Sequence, residues 1–257
     1  ASARTLGELE PVVSDLMVAS AAPGLAAGRP RAQVARVVTG WVGLAVLFIF
    51  QRQLLFPAPH DLRTPEQVES PQFVGLEATS DGRRLTSWYA PPGLPGRPVL
   101  VYFHGNAGSQ AQIAPWMKIY TEAGYGVLIV AYRGYNGDAG QPSEKGLYAD
   151  SRAALDMLQQ AGFGPERVVL LAQSLGTGVA VQMASEGRGS VLILESPYTS
   201  MVDTAAFHYP LVPVRWLLWD RFDNLSKIGS IHLPLLIISG ALDNVVPQQQ
   251  SRRLFDA

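Results

Sequence analysis

The clearest hydrophobic pattern along the chain is a set of short apolar runs separated by more polar segments. Five of these runs are continuous rather than alternating: Val99–Phe103, Val127–Ala131, Val168–Ala172, Val191–Leu194 and Leu235–Ile238. Continuous runs of this length are typical of parallel strands that are covered on both faces. Between two of them, Ser143–Gln160 carries apolar residues at helical spacing after a Pro-Ser start signal. This strand–helix alternation predicts an α/β fold with a mostly parallel, doubly wound sheet.

Two further segments modify this simple pattern. Phe73–Thr79 and Leu85–Tyr89 flank Asp81-Gly82, a dipeptide that indicates an antiparallel hairpin at the start of the domain. Residues 200–229, between the last two apolar runs, are longer than an ordinary connection and contain Trp216, Trp219 and several prolines. An insertion here would overhang the carboxyl ends of the strands, where open α/β sheets bind ligands. A cap over an active site and a plain surface excursion are both compatible with it.

A long apolar stretch, residues 37–56, precedes the predicted domain, which covers residues 57–257. Val37–Phe50 alone would span about 21 Å as a helix, but with residues 51–56 and a snorkelling Arg52 it could cross the roughly 30 Å hydrocarbon core. Arginines at 29, 31 and 36 precede the run, and no cleavage pattern follows it. We therefore expect an uncleaved transmembrane anchor with a cytoplasmic N-terminus and an extracytoplasmic, for instance periplasmic, domain. The alternative is a buried core helix or a hydrophobic hairpin packed on the domain.

Composition narrows the function classes. The chain has 257 residues, of which 47% are hydrophobic and 16% charged, so a sizeable core can form. Residues 1–36, rich in Ala, Gly and Pro without periodicity, are the exception and are expected to be a flexible tail. The formal net charge of −1 gives no sign of a nucleic-acid partner. The absence of cysteine excludes thiol catalysis, disulfides and Cys-bound metals.

The most informative stretch is a buried strand that runs into Ser174 and then into a helix opened by small residues. A serine on such a sharp strand-to-helix turn has its hydroxyl lifted above the sheet, and the turn needs small residues two positions before and after the serine. Those positions hold Ala172 and Gly176, a variant of the usual G-x-S-x-G pattern. The positive end of the following helix would favour an anionic tetrahedral intermediate. The alternative is that Ser174 merely caps the helix.

A Gly-rich loop follows the first parallel strand, with the sequence His104-Gly105-Asn106-Ala107-Gly108. In hydrolases with such an elbow, one oxyanion donor is the N–H of the residue after the nucleophile and another comes from this loop. Leu175 and Asn106 are therefore the predicted donors, with Ala107 as the substitute for Asn106. His104 would shape the loop rather than act as a base. A phosphate-binding loop is disfavoured, because no G-x-x-x-x-G-K-[ST] pattern is present.

Four motifs now stand in chain order, together with a fifth at the end of the apolar stretch. They are FHGNAGS at 103–109, YRGY at 132–135 with GQPSE at 140–144, QSLGTG at 173–178, ESPYTS at 195–200, and QRQLLFP at 51–57. Over residues 50–250 the chain resembles the small, often membrane-tethered branch of the α/β-hydrolase superfamily that includes depalmitoylase-type hydrolases and many bacterial relatives. The resemblance implies a Ser–Asp–His serine hydrolase of acyl esters or thioesters, without a metal or other cofactor.

The acid of such a triad is predicted at Asp243, in the loop after Leu235–Ile238, and Glu195 is the weaker candidate. A structural alternative for Asp243 is a cap on the helix after Pro247. No histidine follows Asp243: the four histidines, His60, His104, His208 and His232, all precede it. We expect a C-terminally incomplete chain that lacks the last strand and helix of the fold. Without that strand, Leu235–Ile238 forms an unprotected apolar sheet edge, which a self-contained domain would avoid.

Two function classes remain open at this point. In one, a small-molecule acyl ester or thioester is hydrolysed through Ser174 near a membrane, with an apolar acyl or aromatic group suggested by the aromatic residues of segment 200–229. In the other, a membrane-tethered binding or scaffold protein keeps the fold without turnover. Because Ser174 needs a proton acceptor, the sequence as written is expected to be nearly inactive.

Overall fold

The computed structural model describes residues 30–257, with side-chain surroundings described from residue 38 onward. Of the predicted flexible tail, residues 1–29 lie outside the described residues. For residues 30–36 the prediction is wrong, because helix α1 covers Pro30–Leu55 and begins ahead of the apolar run. Pro30 occupies the first helical position, where a fixed φ and a missing N–H are tolerated. The alanines and arginines that follow it are good helix formers even without an apolar face.

The sheet has seven strands, in the spatial order β1-β2-β4-β3-β5-β6-β7. The strands are β1 Val74–Ser80, β2 Arg83–Ala90, β3 Val99–Phe103, β4 Gly126–Ile129, β5 Val168–Gln173, β6 Val191–Glu195 and β7 Leu235–Ile238. The helices after α1 are α2 Gln110–Glu122, α3 Glu144–Gln160, α4 Leu175–Ser185, α5 Met201–His208, α6 Val214–Leu217, α7 Leu225–Ile228 and α8 Gln248–Phe255. Strands β3 to β7 pair in parallel, which confirms the predicted doubly wound sheet.

The antiparallel hairpin at the start of the domain is also confirmed. Strands β1 and β2 pair from Val74 opposite Tyr89 to Ser80 opposite Arg83. Asp81 and Gly82 between them both have positive φ, 50° and 73°, as a two-residue hairpin turn requires. Strand β2 then pairs antiparallel with β4 and so attaches the hairpin to the parallel part of the sheet.

The core consists of two layers, one on each face of the sheet. In β3, Val99, Val101 and Phe103 belong to one buried cluster, and Leu100 and Tyr102 belong to the other. Apolar side chains of α3 and α4 complete the first cluster, and those of α2 complete the second. Because both faces are covered, both sets of alternating side chains must be apolar, which explains the continuous runs in the sequence.

Helix α1 does not lie in this core. Val38–Leu55 is long and apolar enough to cross a membrane, and only 6% of that stretch is buried. Its large apolar side chains face outward, with Trp41 70% and Ile49 61% exposed. The alternative of a core helix packed on the domain is therefore wrong. Contact with the domain begins only near the carboxyl end of α1.

Candidate active site

The turn between β5 and α4 has the geometry that the sequence predicts for a nucleophile elbow. Ser174, between the two elements, has φ 48° and ψ −118°, a conformation that is strained for a residue with a side chain. The Ser174 N–H donates to the Glu195 carbonyl at the end of β6 (2.9 Å), and the Ser174 carbonyl accepts from the Thr177 N–H (2.9 Å). Its hydroxyl makes no capping hydrogen bond to α4. The interpretation of Ser174 as a simple helix cap therefore finds no support.

The small residues around Ser174 are required by close backbone contact. A Cβ atom on Gly176 would lie 2.0 Å from the Phe103 carbonyl oxygen and 2.8 Å from that of His104, so the start of α4 rests directly on the end of β3. Ala172 is fully buried and its methyl group fits. One turn into α4, a Cβ atom on Gly178 would lie 2.3 Å from the Tyr198 hydroxyl. The sequence A-x-S-x-G-x-G thus follows from how tightly α4 approaches its neighbours.

The Gly-rich loop after β3 lies against the serine. A Cβ atom on Gly105 would be 3.4 Å from the Cβ atom of Ser174, which places the loop in contact with the elbow. The loop is closed by a hydrogen bond from the Gly108 N–H to the Gly105 carbonyl (3.1 Å), and Ala107 adopts a positive φ of 56°. The Asn106 and Ala107 N–H groups take no part in that bond. The Leu175 N–H belongs to the first turn of α4, where a helix leaves its N–H groups without intrahelical partners.

The side chain of Asn106 connects this loop to two other elements. Its Nδ2 donates to the Leu55 carbonyl at the end of α1 (2.6 Å), and its Oδ1 accepts from the Tyr135 hydroxyl (2.8 Å). Sequence reasoning missed this role of Tyr135, although the residue stands in the YRGY motif. The end of the apolar helix is therefore bonded to the loop that touches Ser174.

His104 lies inside the domain beneath the loop. It is fully buried, its Nδ1 is 2.9 Å from the Gly105 carbonyl, and its ring centroid is 4.2 Å from that of Tyr132. Burial lowers the pKa of His104 from 6.5 to about 4. A neutral ring in this position fixes the loop from below, in agreement with the structural role that the sequence suggests.

Asp243 lies in the loop after β7 and organises that loop. Its Oδ1 accepts the N–H groups of Val245 and Val246, both at 2.9 Å. Asp243 does not cap α8, as the structural alternative supposed. The N–H groups that it bonds precede α8, and Pro247 occupies the cap position of that helix. No hydrogen bond engages Oδ2 among the residues that the structure describes. One carboxylate oxygen is therefore held by the backbone and the other can accept a further donor.

The sheet register sets how far the acid loop is from the elbow. Gln173 pairs with Glu195, and Glu195 pairs with Ile238, so two strand spacings separate the ends of β5 and β7. At about 4.8 Å each, these spacings place the two strand ends about 10 Å apart. Ser174 and the loop that carries Asp243 thus follow strands that are separated by one intervening strand, β6. Glu195 is one strand closer, and its backbone carbonyl already holds the elbow.

None of the other three histidines bridges the two residues. His60 and His232 are exposed. His208, at the end of α5, has its Nε2 2.9 Å from the Val245 carbonyl in the acid loop. This contact places the end of α5, within the 200–229 segment that folds as α5, α6 and α7, beside the loop that carries Asp243.

Comparisons with known proteins agree with this architecture. No protein-family model matches the chain. An uncharacterized protein, Rv2307c, of Mycobacterium tuberculosis is 37% identical over 229 residues, which cover 87% of this chain and 80% of that protein. The human alpha/beta hydrolase domain-containing protein 17B is 32% identical over 70% of this chain and 62% of its own length. The lysophosphatidylserine lipase ABHD12 of Danio rerio is 32% identical over 66% of this chain and 49% of its own length.

Among solved structures, the esterase Pf2001 of Pyrococcus furiosus superposes with a TM-score of 0.63 at 19% identity. The match covers 78% of this chain and 81% of the esterase. At this identity the likeness concerns the fold alone.

Proposed function

Because the chain belongs to the α/β-hydrolase superfamily, we propose that it hydrolyses carboxylic esters or thioesters through an acyl-enzyme formed on Ser174. Hydrolase relatives and neighbours support the general activity. The observation that carries the specific proposal is the elbow itself. A strained serine, whose hydroxyl does not cap its helix, stands against a glycine loop and at the positive end of α4.

The chemistry follows from this placement. The Ser174 Oγ attacks the carbonyl carbon, and the negative charge that develops on the carbonyl oxygen is stabilised by the N–H groups of Leu175 and Asn106, with Ala107 as the substitute donor. In the triad that the superfamily resemblance implies, a histidine takes the hydroxyl proton and passes it to the departing alcohol or thiol. Asp243 accepts the other N–H of that ring and stabilises its charged form. The same histidine then takes a proton from a water molecule, which attacks the acyl-enzyme. The acid is released, and the histidine returns the proton to the Ser174 Oγ.

The free Oδ2 of Asp243 is the reason to prefer it over Glu195 as the orienting acid. Its Oδ1 is fixed by two backbone N–H groups, so the carboxylate is held in place while one oxygen stays available. The four histidines of the sequence do not occupy the position between Asp243 and Ser174. Experiments on catalysis therefore use the complete gene product beside the 257-residue chain.

The proposed substrates are lipid-like acyl compounds that reach the enzyme at a membrane. Helix α1 supports a transmembrane anchor, and one relative is named as a lipase of a lysophospholipid. The 200–229 segment, whose His208 contacts the acid loop and whose Leu211, Trp216 and Trp219 are exposed, is proposed as a cap. The arginines at 29, 31 and 36 favour a cytoplasmic N-terminus and an extracytoplasmic domain.

An active-site-directed fluorophosphonate tests the proposal. The probe is expected to label the complete gene product, to fail on Ser174→Ala, and to label Ser185→Ala normally. Ser185 is the matched control because it closes the same helix, where its hydroxyl bonds the Gln182 carbonyl. Equal labelling of Ser174→Ala would refute the assignment. A folded gene product that takes no label would favour the alternative of a membrane-tethered binding or scaffold protein.

A further inference from the structure

The end of helix α1 is fixed to the cap by polar contacts. Gln51 accepts the Trp219 N–H through Oε1 (2.9 Å) and donates to the Leu217 carbonyl through Nε2 (3.2 Å). Arg52 forms a two-pronged ion pair with Asp220, at 2.7 and 3.2 Å. We call these residues, Gln51, Arg52, Leu217, Trp219 and Asp220, the clamp. Two adjacent residues of the helix thus hold three residues of the cap.

The clamp is anchored on both sides. Asp220 is 3% exposed and also accepts the Glu144 N–H at the start of α3 (2.9 Å), which ties the ion pair to the body of the domain. The Arg52 guanidinium lies 5.4 Å from the Trp219 ring, and Phe48, one turn earlier on α1, meets that ring edge-on at 4.9 Å. A bidentate pair with a buried carboxylate keeps a defined geometry. The cap is therefore held at a fixed position along the axis of α1.

That position lies in the last turns of Val38–Leu55, the part of α1 that is able to cross a membrane. Phe48 lies inside Val38–Leu55, the stretch able to cross a membrane, and Gln51 and Arg52 are the first polar side chains after its apolar run. Trp219 contacts both an apolar residue of the span and an arginine at its end. This is the position of a tryptophan in the aromatic belt at a membrane interface. Trp219 therefore marks the level of the lipid headgroups if α1 spans a bilayer.

The cap presents further apolar side chains outward from this level. Trp216 is 88% exposed, Leu211 63% and Phe207 59%, beside Trp219 at 49%. This surface meets α1 where the Trp219 ring contacts Phe48, and the next two residues of that helix, Ile49 and Phe50, are exposed. Arg215 adds an exposed cation in the same short helix as Trp216, with its guanidinium 3.1 Å from Asp203. An exposed apolar patch with an arginine at its border is suited to a lipid–water interface.

We propose that the cap segment 211–219 inserts into the headgroup region of the same bilayer that α1 spans, with Trp216 as its main lipid contact. The occupant of this surface is a lipid bilayer, because the clamp makes the patch continuous with the apolar surface of the span. The inference rests on the proposed anchoring by α1 and does not depend on catalysis. Its consequence is that the cap beside the acid loop faces the lipid from which an acyl substrate would enter.

The natural absence of cysteine allows a direct test. Single cysteines are introduced by Trp216→Cys, Leu211→Cys, Val46→Cys and Trp116→Cys, and each is labelled with an environment-sensitive nitrobenzoxadiazole dye. Each chain is reconstituted in phosphatidylcholine vesicles with or without nitroxide-labelled lipid. Val46, on the exposed surface of α1, reports anchoring. Trp116 is the matched control, since it is a tryptophan of similar exposure, 77%, on α2 beside Arg63 and Glu69.

The proposal predicts that dyes at 216 and 211 shift to the blue in vesicles and lose most of their emission to nitroxide lipid, as the dye at 46 does, while the dye at 116 changes little. The side chains at all four positions are between 49% and 88% exposed, so the substitutions should leave the fold intact. If position 46 is quenched and positions 216 and 211 behave like 116, the cap does not touch the bilayer and the inference is wrong. If position 46 also stays unquenched, the proposed anchoring is wrong.

A remaining outcome is also decisive. A dye at 216 that is already shielded in detergent without vesicles, with shielding that depends on protein concentration, would show that a second copy of the chain covers the patch. That result would overturn the assignment to lipid. None of these measurements involves Ser174, so they separate the membrane contact from the hydrolase proposal.

Discussion

The serine half of the candidate site and its acid half are built in different ways. Ser174 stands between β5 and α4 in the middle of the sheet, and α4 rests so closely on the buried β3 that a single methyl group on Gly176 would push it away. Asp243 follows β7, the outermost strand of the described sheet, where Leu236 and Ile238 are each 50% exposed. The first half is held by close packing, whereas the second is held by hydrogen bonds within one loop.

This difference indicates which amino-acid substitutions each half of the site tolerates. In a close-packed region any added atom must displace a neighbour, so strain at Ser174 can be maintained by its surroundings. At the edge, Asp243 keeps its place mainly through two backbone N–H groups. Substitutions should therefore be costly in the serine half for steric reasons, and in the acid half only where they remove a hydrogen-bond acceptor.

The largest expected effect is that of Gly176→Ala. Its Cβ atom would overlap the Phe103 carbonyl oxygen at 2.0 Å, so backbone must move, and we expect a loss of about 3 kcal/mol or more in the free energy of unfolding. The matched variant in the acid half is Gly240→Ala, whose Cβ atom would meet the Asp243 Cβ at 3.7 Å, an ordinary contact. It should change stability by less than about 0.5 kcal/mol. Urea denaturation in detergent compares them, and equal losses would contradict the contrast.

The next effect concerns pH and the buried His104. The ring takes up a proton near pH 6.5 in the unfolded chain but near pH 4 in the folded one, because burial lowers its pKa. The unfolded state therefore binds more protons between these values, so stability is complete above pH 6.5 and falls by about 3 kcal/mol as the pH drops to 4.

His104→Gln should remove this part of the acid sensitivity, even if it lowers stability at pH 7. Denaturation of both chains across pH 4 to 7 measures it. The same slope in the variant and the parent chain would show that His104 is not the group responsible.

A smaller effect is expected for Asp243. The change Asp243→Ala removes the acceptor of two backbone N–H groups and should cost about 1–2 kcal/mol of stability. Asp243→Asn keeps an acceptor oxygen and should recover most of that loss, yet it should abolish the orientation of a histidine and so reduce fluorophosphonate labelling of the complete gene product. Normal labelling of Asp243→Asn would contradict its role as the acid.

The smallest effect is expected for Tyr135→Phe. It removes only the hydroxyl that donates to the Asn106 side chain, so stability should fall by about 1 kcal/mol. If this bond positions the oxyanion loop, kcat of the complete gene product should fall while KM stays nearly constant, because the donors act mainly in the transition state. A change in KM alone would show that the bond affects substrate binding instead.

The sequence could predict those parts of the molecule that depend on local pattern. The continuous apolar runs became β3 to β7, Asp81-Gly82 became the hairpin turn, and the small residues around Ser174 became the strained elbow. Each of these depends on residues that are neighbours in the chain or on burial on both faces of a strand.

Contacts between distant segments could not be predicted in this way. The Arg52–Asp220 ion pair joins residues 168 positions apart, and no periodicity marks either partner. The early start of α1 was missed because the residues after Pro30 favour a helix through their intrinsic propensity and not through an apolar pattern. The bond from Asn106 to Leu55 likewise appears only when the loop and the end of α1 are brought together.

The most direct test of the central claim is to locate the fluorophosphonate adduct by mass spectrometry of the digested complete gene product. The account predicts one modified peptide, the one that contains Ser174, with the phosphonate on that residue. An adduct on any other serine, with Ser174 recovered unmodified, would contradict the claim that this residue is the nucleophile.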